Sequence, residues 1–238
     1  LGTIINSFAV ILGCTIGLFI KKGVSSRFQE IIMKALGLST IFIGVSGALC
    51  GLLNFSDGKI TTKGTMLMIA SLVIGAIVGE TLRIEDRLST LGEKLKKKFS
   101  SGDNSRFVEA FVTNTLVICV GAMAIVGSIN DGLTGDYSTL LAKSILDGVI
   151  GLVFASTLGI GALFAVIPMA IYQGSITLLA KFIEPYLTDA LISDMSYIGS
   201  VLIFTVGVNL AFGNKFKTGN MLPAILIPII YNLLLRFI

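Results

Sequence analysis

Histidine and tryptophan are absent from the 238-residue sequence, and only 13% of its residues are charged. Without histidine, the chain cannot form a histidine-based catalytic triad, a histidine metal site or an HExxH zinc protease site. It also lacks a Walker A motif and a GxSxG motif. A soluble domain carries about 25% charged residues, so this chain has too little charge to solvate a globule in water. We therefore expect a membrane protein that is not an enzyme.

Cysteine is scarce as well. Cys14, Cys50 and Cys119 lie far apart inside apolar segments. An odd number of cysteines without CxxC spacing argues against a disulfide framework and against a thiolate metal site. We interpret the three as small packing residues and expect neither a metal nor a cofactor.

Long apolar segments dominate the chain. Hydrophobic residues make up 54% of it, and the mean hydropathy is +0.92. The segments run for roughly 17–25 residues, the length of an α-helix that crosses about 30 Å of hydrocarbon. They do not alternate between polar and apolar residues as the strands of a membrane β-barrel do. We predict a single all-α membrane domain with about eight transmembrane helices, near residues 2–20, 36–53, 64–82, 107–127, 140–158, 160–182, 196–213 and 219–237.

The boundary between the fifth and sixth predicted spans is the least defined. Residues 140–182 form one apolar stretch that only Gly159, Gly161 and Pro168 interrupt. At 1.5 Å per residue this stretch is too long for a single crossing. It is therefore either two spans or a segment that breaks or re-enters within the membrane.

Basic residues predict the orientation. If the first helix starts outside the cell, most of the 18 lysines and arginines fall in cytoplasmic loops. The positive-inside rule then favours both termini outside. The basic residues on the predicted cytoplasmic side are Lys21, Lys22, Arg27, Lys34, Arg83, Arg87, Lys94, Lys96, Lys97, Lys98, Arg106, Lys215 and Lys217.

The longest connection, residues 83–106, predicts an amphipathic helix on the membrane surface. Leucines recur in it at roughly helical spacing with charges between them. We expect Lys94, Lys96, Lys97 and Lys98 to lie near anionic lipid headgroups. The sequence pI of about 9.0 would also suit a nucleic-acid-binding protein. The basic run is too short for that, so we expect no nucleic-acid partner.

Short matches suggest an internal repeat. The tetrapeptide at Phe8 recurs at Phe164, and the start of the third predicted span resembles the start of the eighth. Residues 1–84 and 160–238 would then form an inverted three-helix repeat around a central pair at 107–158, a 3+2+3 arrangement. Such short matches also arise by chance in apolar sequence.

Asp147 is the principal candidate for chemistry. It lies roughly 10 Å into its predicted helix, four residues after Lys143 and therefore on the same helix face. A charge within the hydrocarbon is costly and normally faces a partner or a polar cavity. Asp147 is either a cation- or proton-binding carboxylate tuned by Lys143, or part of a structural ion pair whose lysine extends to water.

Other polar residues in apolar segments complete the candidate site. They are Asn6, Asn114, Gln173 and Ser175. The sixth predicted span also contains Pro168, followed by glycine and polar residues at 172–177. Discontinuous helices of this kind build ion and substrate sites, although a plain kinked helix fits the same residues.

Several segments resemble those of the YqgA/YdfK-like bacterial membrane proteins, a family of unknown function. They include Gly2–Asn6, Ser71–Glu80, Cys119–Ser128, Lys143–Gly148 and Tyr172–Ser175. The resemblance extends over essentially the whole chain. It implies a bacterial inner-membrane protein and implies no particular activity, so the function has to be argued from the site.

Two functional hypotheses lead, ahead of a membrane enzyme that acts on lipid. The first is a small-solute or ion transporter or channel, in which Asp147 and Lys143 act with Asn6, Asn114, Gln173 and Ser175. The second is a structural or regulatory membrane protein that binds lipid or a partner through its basic helix. Abundant small-residue faces also make a homodimer plausible.

Overall fold

The computed structural model describes residues 1–21, 26–56, 58–99, 106–119, 122–183, 185 and 188–235. Most of these residues are helical. The α-helices are α1 (Gly2–Lys21), α2 (Ser26–Leu52), α3 (Thr65–Leu82), α4 (Ile84–Phe99), α5 (Phe107–Cys119), α6 (Ala122–Leu133), α7 (Ser138–Thr157), α8 (Val166–Ile183), α9 (Asp189–Phe212), α10 (Thr218–Met221) and α11 (Ile227–Leu235). The 3₁₀ helix Ile160–Ala165 precedes α8, and the 3₁₀ helix Leu222–Leu226 precedes α11.

A short antiparallel hairpin joins α2 to α3. Its strands are β1 (Leu53–Ser56) and β2 (Lys59–Thr62), paired from Leu53 with Thr62 to Ser56 with Lys59. Gly64 then adopts a left-handed conformation, with φ of 70°, directly before α3. The hairpin therefore turns the chain back over a few residues.

The predicted all-α membrane architecture is confirmed. In the described part of the chain, six segments are long and apolar enough to cross a membrane: Gly2–Ile20, Glu30–Leu52, Thr65–Leu82, Ser138–Thr157, Ile160–Phe182 and Asp189–Phe212. Helices α5 and α6 become a seventh if they count as one span, but their axes differ by 62°. The predicted eighth span is three short helices in series, α10, Leu222–Leu226 and α11.

The predicted spans differ from the helices mainly at their ends. Helices α2 and α9 begin well before the predicted starts at 36 and 196. The predicted span at 107–127 contains two helices, α5 and α6, which are bent against each other by 62°. Residues 120–121 between them lie outside the described part, as do Lys22, residues 100–105 of the basic connection and residues 236–237 of the last predicted span.

Glycine, rather than proline, divides the long stretch 140–182. Gly159 has φ of 106°, a conformation that L-residues with a side chain rarely adopt, and it separates α7 from Ile160–Ala165. Pro168 lies in the first turn of α8, where a backbone N–H has no partner within the helix. Helix α8 continues unbroken through 172–177. The stretch is therefore two candidate spans, and the predicted polar break is absent from α8.

The chain divides into two compact units. The first contains Leu1–Met33 and Asp86–Tyr186, and the second contains Lys34–Glu85 and Leu187–Ile238. Each unit combines helices from both halves of the predicted repeat. The repeat itself stays a prediction.

Close helix contacts organise the first unit. Helix α1 packs along α7, with Gly2 against Leu140, Gly13 against Gly148 and Gly17 against Leu152. Because the residue numbers rise together, the two helices run parallel. Helix α8 packs mainly on α6, and the 3₁₀ helix Ile160–Ala165 packs on α5. The buried apolar core includes Val10, Cys14, Phe107, Phe111, Phe154 and Met169.

The second unit contains an antiparallel helix pair, in contrast to the parallel pair of the first unit. Helix α2 lies antiparallel to α9, with Gly37 against Ala211 and Gly51 against Tyr197. Helix α3 lies against Leu222–Leu226, where Gly75 contacts Ala224. The core around Tyr197, Ile198 and Ala224 is joined by Leu52, Met68 and Leu72. Glycines again allow the backbones to approach closely.

Candidate functional site

Lys143 and Asp147 form a buried ion pair on α7. Their spacing of one helical turn brings Lys143 Nζ to 2.8 Å from Asp147 Oδ1. The lysine side chain is 8% exposed and the aspartate side chain 2% exposed. The lysine is therefore folded onto Asp147 rather than extended along the protein surface. Removing either partner would leave an uncompensated charge in the interior.

Helix α1 reaches this ion pair because glycines line its contact with α7. A Cβ atom at Gly13 would overlap the carbonyl oxygen of Gly148, next to Asp147. This close approach places Asn6 against the carboxylate, with Asn6 Nδ2 at 2.9 Å from Asp147 Oδ2. The small residues thus fix the distance between the two helices and so the position of Asn6.

Helix α8 completes the group through Gln173. Asn6 Nδ2 also lies 3.2 Å from Gln173 Oε1 and 3.4 Å from Met169 Sδ. Asn6 and Gln173 are both fully buried. We call Asn6, Lys143, Asp147 and Gln173 the Asp147 cluster. All four belong to the first unit.

The Asp147 cluster is incomplete in hydrogen bonding. Asn6 Oδ1 and Gln173 Nε2 have no partner among the described residues. A buried polar atom left unpaired costs about 1–3 kcal/mol, so native proteins seldom retain one without a reason. The cluster therefore presents a free acceptor and a free donor beside a neutralised ion pair. This combination suits water, a proton or a small polar solute. A bare cation would have to compete with Lys143 for Asp147, and a bare anion with Asp147 for Lys143.

The structure does not bring two predicted site residues into the cluster. Asn114 Nδ2 donates to the carbonyl oxygen of Ala162 at 2.8 Å, and its Oδ1 is unpaired within the described chain. Ser175 is exposed and donates to the carbonyl oxygen of Ile171 in its own helix. Asn114 thus holds the 3₁₀ helix onto α5, and Ser175 lies on another face of α8.

Further polar residues of the first unit were not among the predicted site residues. Thr3 Oγ1, Ser128 Oγ and Thr177 Oγ1 are buried atoms without a hydrogen-bond partner in the described part. Asp131 is 9% exposed and accepts a hydrogen bond from the backbone N–H of Gly2 at 2.9 Å. Spacing carried a signal, because Thr3 precedes Asn6 by three residues and Thr177 follows Gln173 by four, so each pair shares a helix face.

A second polar group, the Glu80 cluster, lies in the second unit and comprises Glu80, Glu85, Lys217 and Asn220. Glu80 Oε1 pairs with Lys217 Nζ at 2.7 Å, and Glu80 Oε2 accepts from Asn220 Nδ2 at 2.7 Å. Asn220 Oδ1 accepts from the N–H of Glu85, and Glu85 Oε2 accepts from the N–H of Gly219. These bonds tie the turn between α3 and α4 to α10. The cluster borders an open groove of about 540 Å³ lined by Ala76, Ile77, Glu80, Thr81, Lys217, Asn220 and Met221.

Comparison with known proteins identifies the family. The family described as "Protein of unknown function (DUF554)" matches residues 1–233. The chain belongs to the DUF554 family. Among relatives, the "Uncharacterized membrane protein YdfK" of Bacillus subtilis (strain 168) is 35% identical over 227 residues, which are 95% of this chain and 93% of that protein. The "Uncharacterized protein YqgA" of Escherichia coli (strain K12) is 29% identical over 231 residues, 95% of this chain and 94% of that protein.

No solved structure matches this DUF554 protein. The resemblance stated from the sequence is confirmed, as are the membrane character and the bacterial relatives. A DUF554 match names no activity, so the chemistry has to come from the Asp147 cluster.

Proposed function

We propose that this protein moves a small solute or ion across the bacterial cytoplasmic membrane and binds it at the Asp147 cluster. The proposed role is that of a transporter or channel rather than an enzyme. The observation that carries the proposal is the pair of unpaired amide atoms, Asn6 Oδ1 and Gln173 Nε2, beside a buried ion pair. A charged group in a membrane span marks a functional site by default.

A purely structural ion pair accounts less well for this arrangement. Asn6 directs one amino group towards three acceptors, while its carbonyl oxygen has no partner in the described chain. Asn114 and Ser175 would act indirectly, since neither contributes to the cluster. Breaks at Gly159 and between α5 and α6 occur in the same unit, and discontinuous helices are typical of transporter sites.

Flux through reconstituted vesicles tests the proposal. We would measure movement of protons, Na⁺ and K⁺ for the wild type, Asp147→Asn and the control Glu109→Gln. Glu109 carries a half-exposed carboxylate paired with Arg106 in the same unit. We expect flux in the wild type and in the control, and loss of flux in Asp147→Asn. Equal flux in all three proteins would remove Asp147 from the mechanism.

Thermal unfolding in detergent extends the search to solutes that carry no charge. A ligand that binds only the folded state raises stability by about 2.7 kcal/mol at a hundredfold excess over its dissociation constant. We expect one ligand from a panel of ions and metabolites to stabilise the wild type and Glu109→Gln but not Asp147→Asn. A shift of the same size in all three proteins would place the binding site elsewhere.

The basic helix α4 supports a second candidate function, a structural or regulatory role at the membrane surface. Its buried Gly92 packs against Phe111 of α5, whereas Lys94, Lys97 and Lys98 are exposed and Lys96 is partly exposed. These lysines would bind anionic headgroups. Replacing all four by glutamine should then weaken binding of phosphatidylglycerol relative to phosphatidylcholine and abolish the cellular function, while Asp147→Asn has no effect on it.

Orientation and assembly complete the proposal. We infer that both termini lie outside, because most basic residues then face the cytoplasm. Reporter fusions at each terminus test this orientation. A homodimer through small-residue faces is also proposed, and the mass of the detergent-solubilised protein tests it.

A further inference from the structure

Five of the seven unpaired buried side-chain atoms in the described part of the first unit lie on α1, α6 and α8, and the other two, Asn114 Oδ1 and Thr115 Oγ1, lie on α5. Near the start of α1, Asp131 binds the N–H of Gly2, and Thr3 comes next along α1. Gly132 of α6 packs against the carbonyl oxygen of Thr177 in α8. Asp131, Thr3 and Thr177 therefore lie at the same level of the unit.

One helical turn further along α1 and α8, a second polar level follows. Asn6 lies one turn after Thr3, and Gln173 lies one turn before Thr177. Ser128 follows Gly127, which packs against Leu140, the residue that Gly2 also contacts, so Ser128 belongs to the first level. The hydrogen bond between Asn6 and Gln173 confirms that α1 and α8 meet at this level. Asp147 joins the level through its bond to Asn6. The two levels are about 5.4 Å apart, the rise of one turn.

Both levels contain buried polar atoms that have no hydrogen-bond partner among the described residues. The unpaired buried atoms of these two levels are Thr3 Oγ1, Ser128 Oγ and Thr177 Oγ1 in the first, and Asn6 Oδ1 and Gln173 Nε2 in the second. They include donors and acceptors on three different helices. Water satisfies such groups, since a buried water typically makes about three hydrogen bonds to otherwise unpaired polar atoms.

The first level lies nearer to a run of exposed residues than the second, although the side chain of Asp131 is itself 3% exposed. Asp131 precedes the exposed residues 134–138 by about one turn. Beyond the Asp147 cluster, α1 presents Val10 and Cys14, both fully buried, and Gly13 packs against the backbone of Gly148. Apolar close packing excludes water there.

We propose that a chain of water molecules joins Asp131 to the Asp147 cluster and opens only on the side where α1 begins. Protons or small hydrated ions would then reach Asp147 from that side alone. This inference rests on the proposed function only in assuming that Asp147 is the group to which the water chain leads. It adds the direction of access and favours protons and small hydrated ions over bulky solutes.

Cysteine labelling tests this access. Ser128→Cys would be made in a background where Cys14, Cys50 and Cys119 are replaced by alanine, and Thr177→Cys is the second variant in case the first fails to fold. The control retains only the native Cys14, which is fully buried on α1 beyond the cluster. The probe is Ag⁺, a small membrane-impermeant cation that binds thiolates, added to one side of oriented membrane vesicles. The thiols that Ag⁺ leaves free are then alkylated with N-ethylmaleimide in the denatured protein and counted by mass spectrometry.

We expect complete labelling of Ser128→Cys and Thr177→Cys from the side where α1 begins, and no labelling from the other side. Cys14 should stay unlabelled from both sides. Failure of both folded variants to react, or reaction from both sides, would overturn the proposal. Labelling without ion flux would support the water chain and refute transport. Ion flux without labelling would support transport and refute the water chain.

Discussion

The Asp147 and Glu80 clusters contain the same three groups with the same connectivity. In each, a lysine Nζ binds one carboxylate oxygen and an asparagine Nδ2 binds the other: Lys143 and Asn6 on Asp147, Lys217 and Asn220 on Glu80. All four distances lie between 2.7 and 2.9 Å. The chemistry of the trio therefore does not distinguish a structural cluster from a binding site.

The two trios do differ in how deeply their side chains are buried and in whether all their polar atoms have hydrogen-bond partners. The side chains of the Asp147–Lys143 pair are 2% and 8% exposed, whereas those of Glu80 and Lys217 are 57% and 64% exposed. Asn220 Oδ1 accepts from the N–H of Glu85, while Asn6 Oδ1 has no partner in the described chain. The exposed trio uses its bonds to fix a turn. The buried trio keeps bonding capacity that no described residue uses.

The largest difference in stability between the two trios is expected when the lysine of each is removed. Lys143→Met leaves Asp147 buried without its counter-charge and should lower the free energy of unfolding by about 3–5 kcal/mol. Lys217→Met breaks an exposed pair that water screens, so it should cause no measurable change. Denaturation in SDS followed by circular dichroism measures both. Equal effects would mean that burial does not separate the two clusters.

The double variant Lys143→Met/Asp147→Leu controls for lost packing. Because it removes both charges, it should recover much of the stability that Lys143→Met loses. If the double variant is as unstable as the single one, the loss comes from packing rather than from the uncompensated carboxylate.

The next largest loss of stability is expected when a glycine that packs beside either trio is replaced by alanine. A Cβ at Gly13 would overlap the carbonyl oxygen of Gly148, and a Cβ at Gly79 would overlap that of Asn220. Either substitution to alanine should cost about 1–3 kcal/mol, because backbone must move. Gly13→Ala should also abolish flux by displacing Asn6 from Asp147. The control is Gly174→Ala, whose Cβ would meet no atom within 4 Å. A stable, active Gly13→Ala would show that the helix spacing does not set the site.

A smaller loss of stability is expected when the carbonyl group of Asn220 is removed. Asn220→Ala deletes the acceptor that Asn220 Oδ1 offers to the partly buried N–H of Glu85, and it should cost about 1 kcal/mol in the free energy of unfolding, without loss of flux. Asn232→Ala is the control, because Asn232 binds only the carbonyl oxygen of Pro228 in its own helix among the bonds described. Loss of flux in Asn220→Ala at unchanged stability would give the Glu80 cluster a functional role.

Local patterns predicted a substantial part of this fold. Hydropathy gave most of the helices, and the spacing of Lys143 and Asp147 gave their ion pair. Spacing also contained information that went unused. Gln173 and Ser175 are two residues apart and so lie on nearly opposite faces of α8, whereas Thr177 shares the face of Gln173.

Long-range contacts could not be predicted from one sequence. Asn6 and Asp147 are 141 residues apart, and only the parallel packing of α1 on α7 brings them together. Proline was a poor guide to helix breaks, because Pro168 and Pro223 both lie in first turns that tolerate it. The break beside α5 carries no proline signal at all.

The separation of Asn6 from Asp147 also constrains biogenesis. Helix α1 emerges from the ribosome long before α7 is synthesised, so Asn6 enters the bilayer with its future partner still untranslated. Until α7 arrives, the polar amide of α1 has no carboxylate to bind, and its glycine face has no helix to cover it. Chains truncated before α7 should therefore remain recognisable to the machinery that retains and degrades unassembled membrane segments. The parallel contact of α1 with α7 thus makes the packing of the first helix depend on a helix from the second half of the chain.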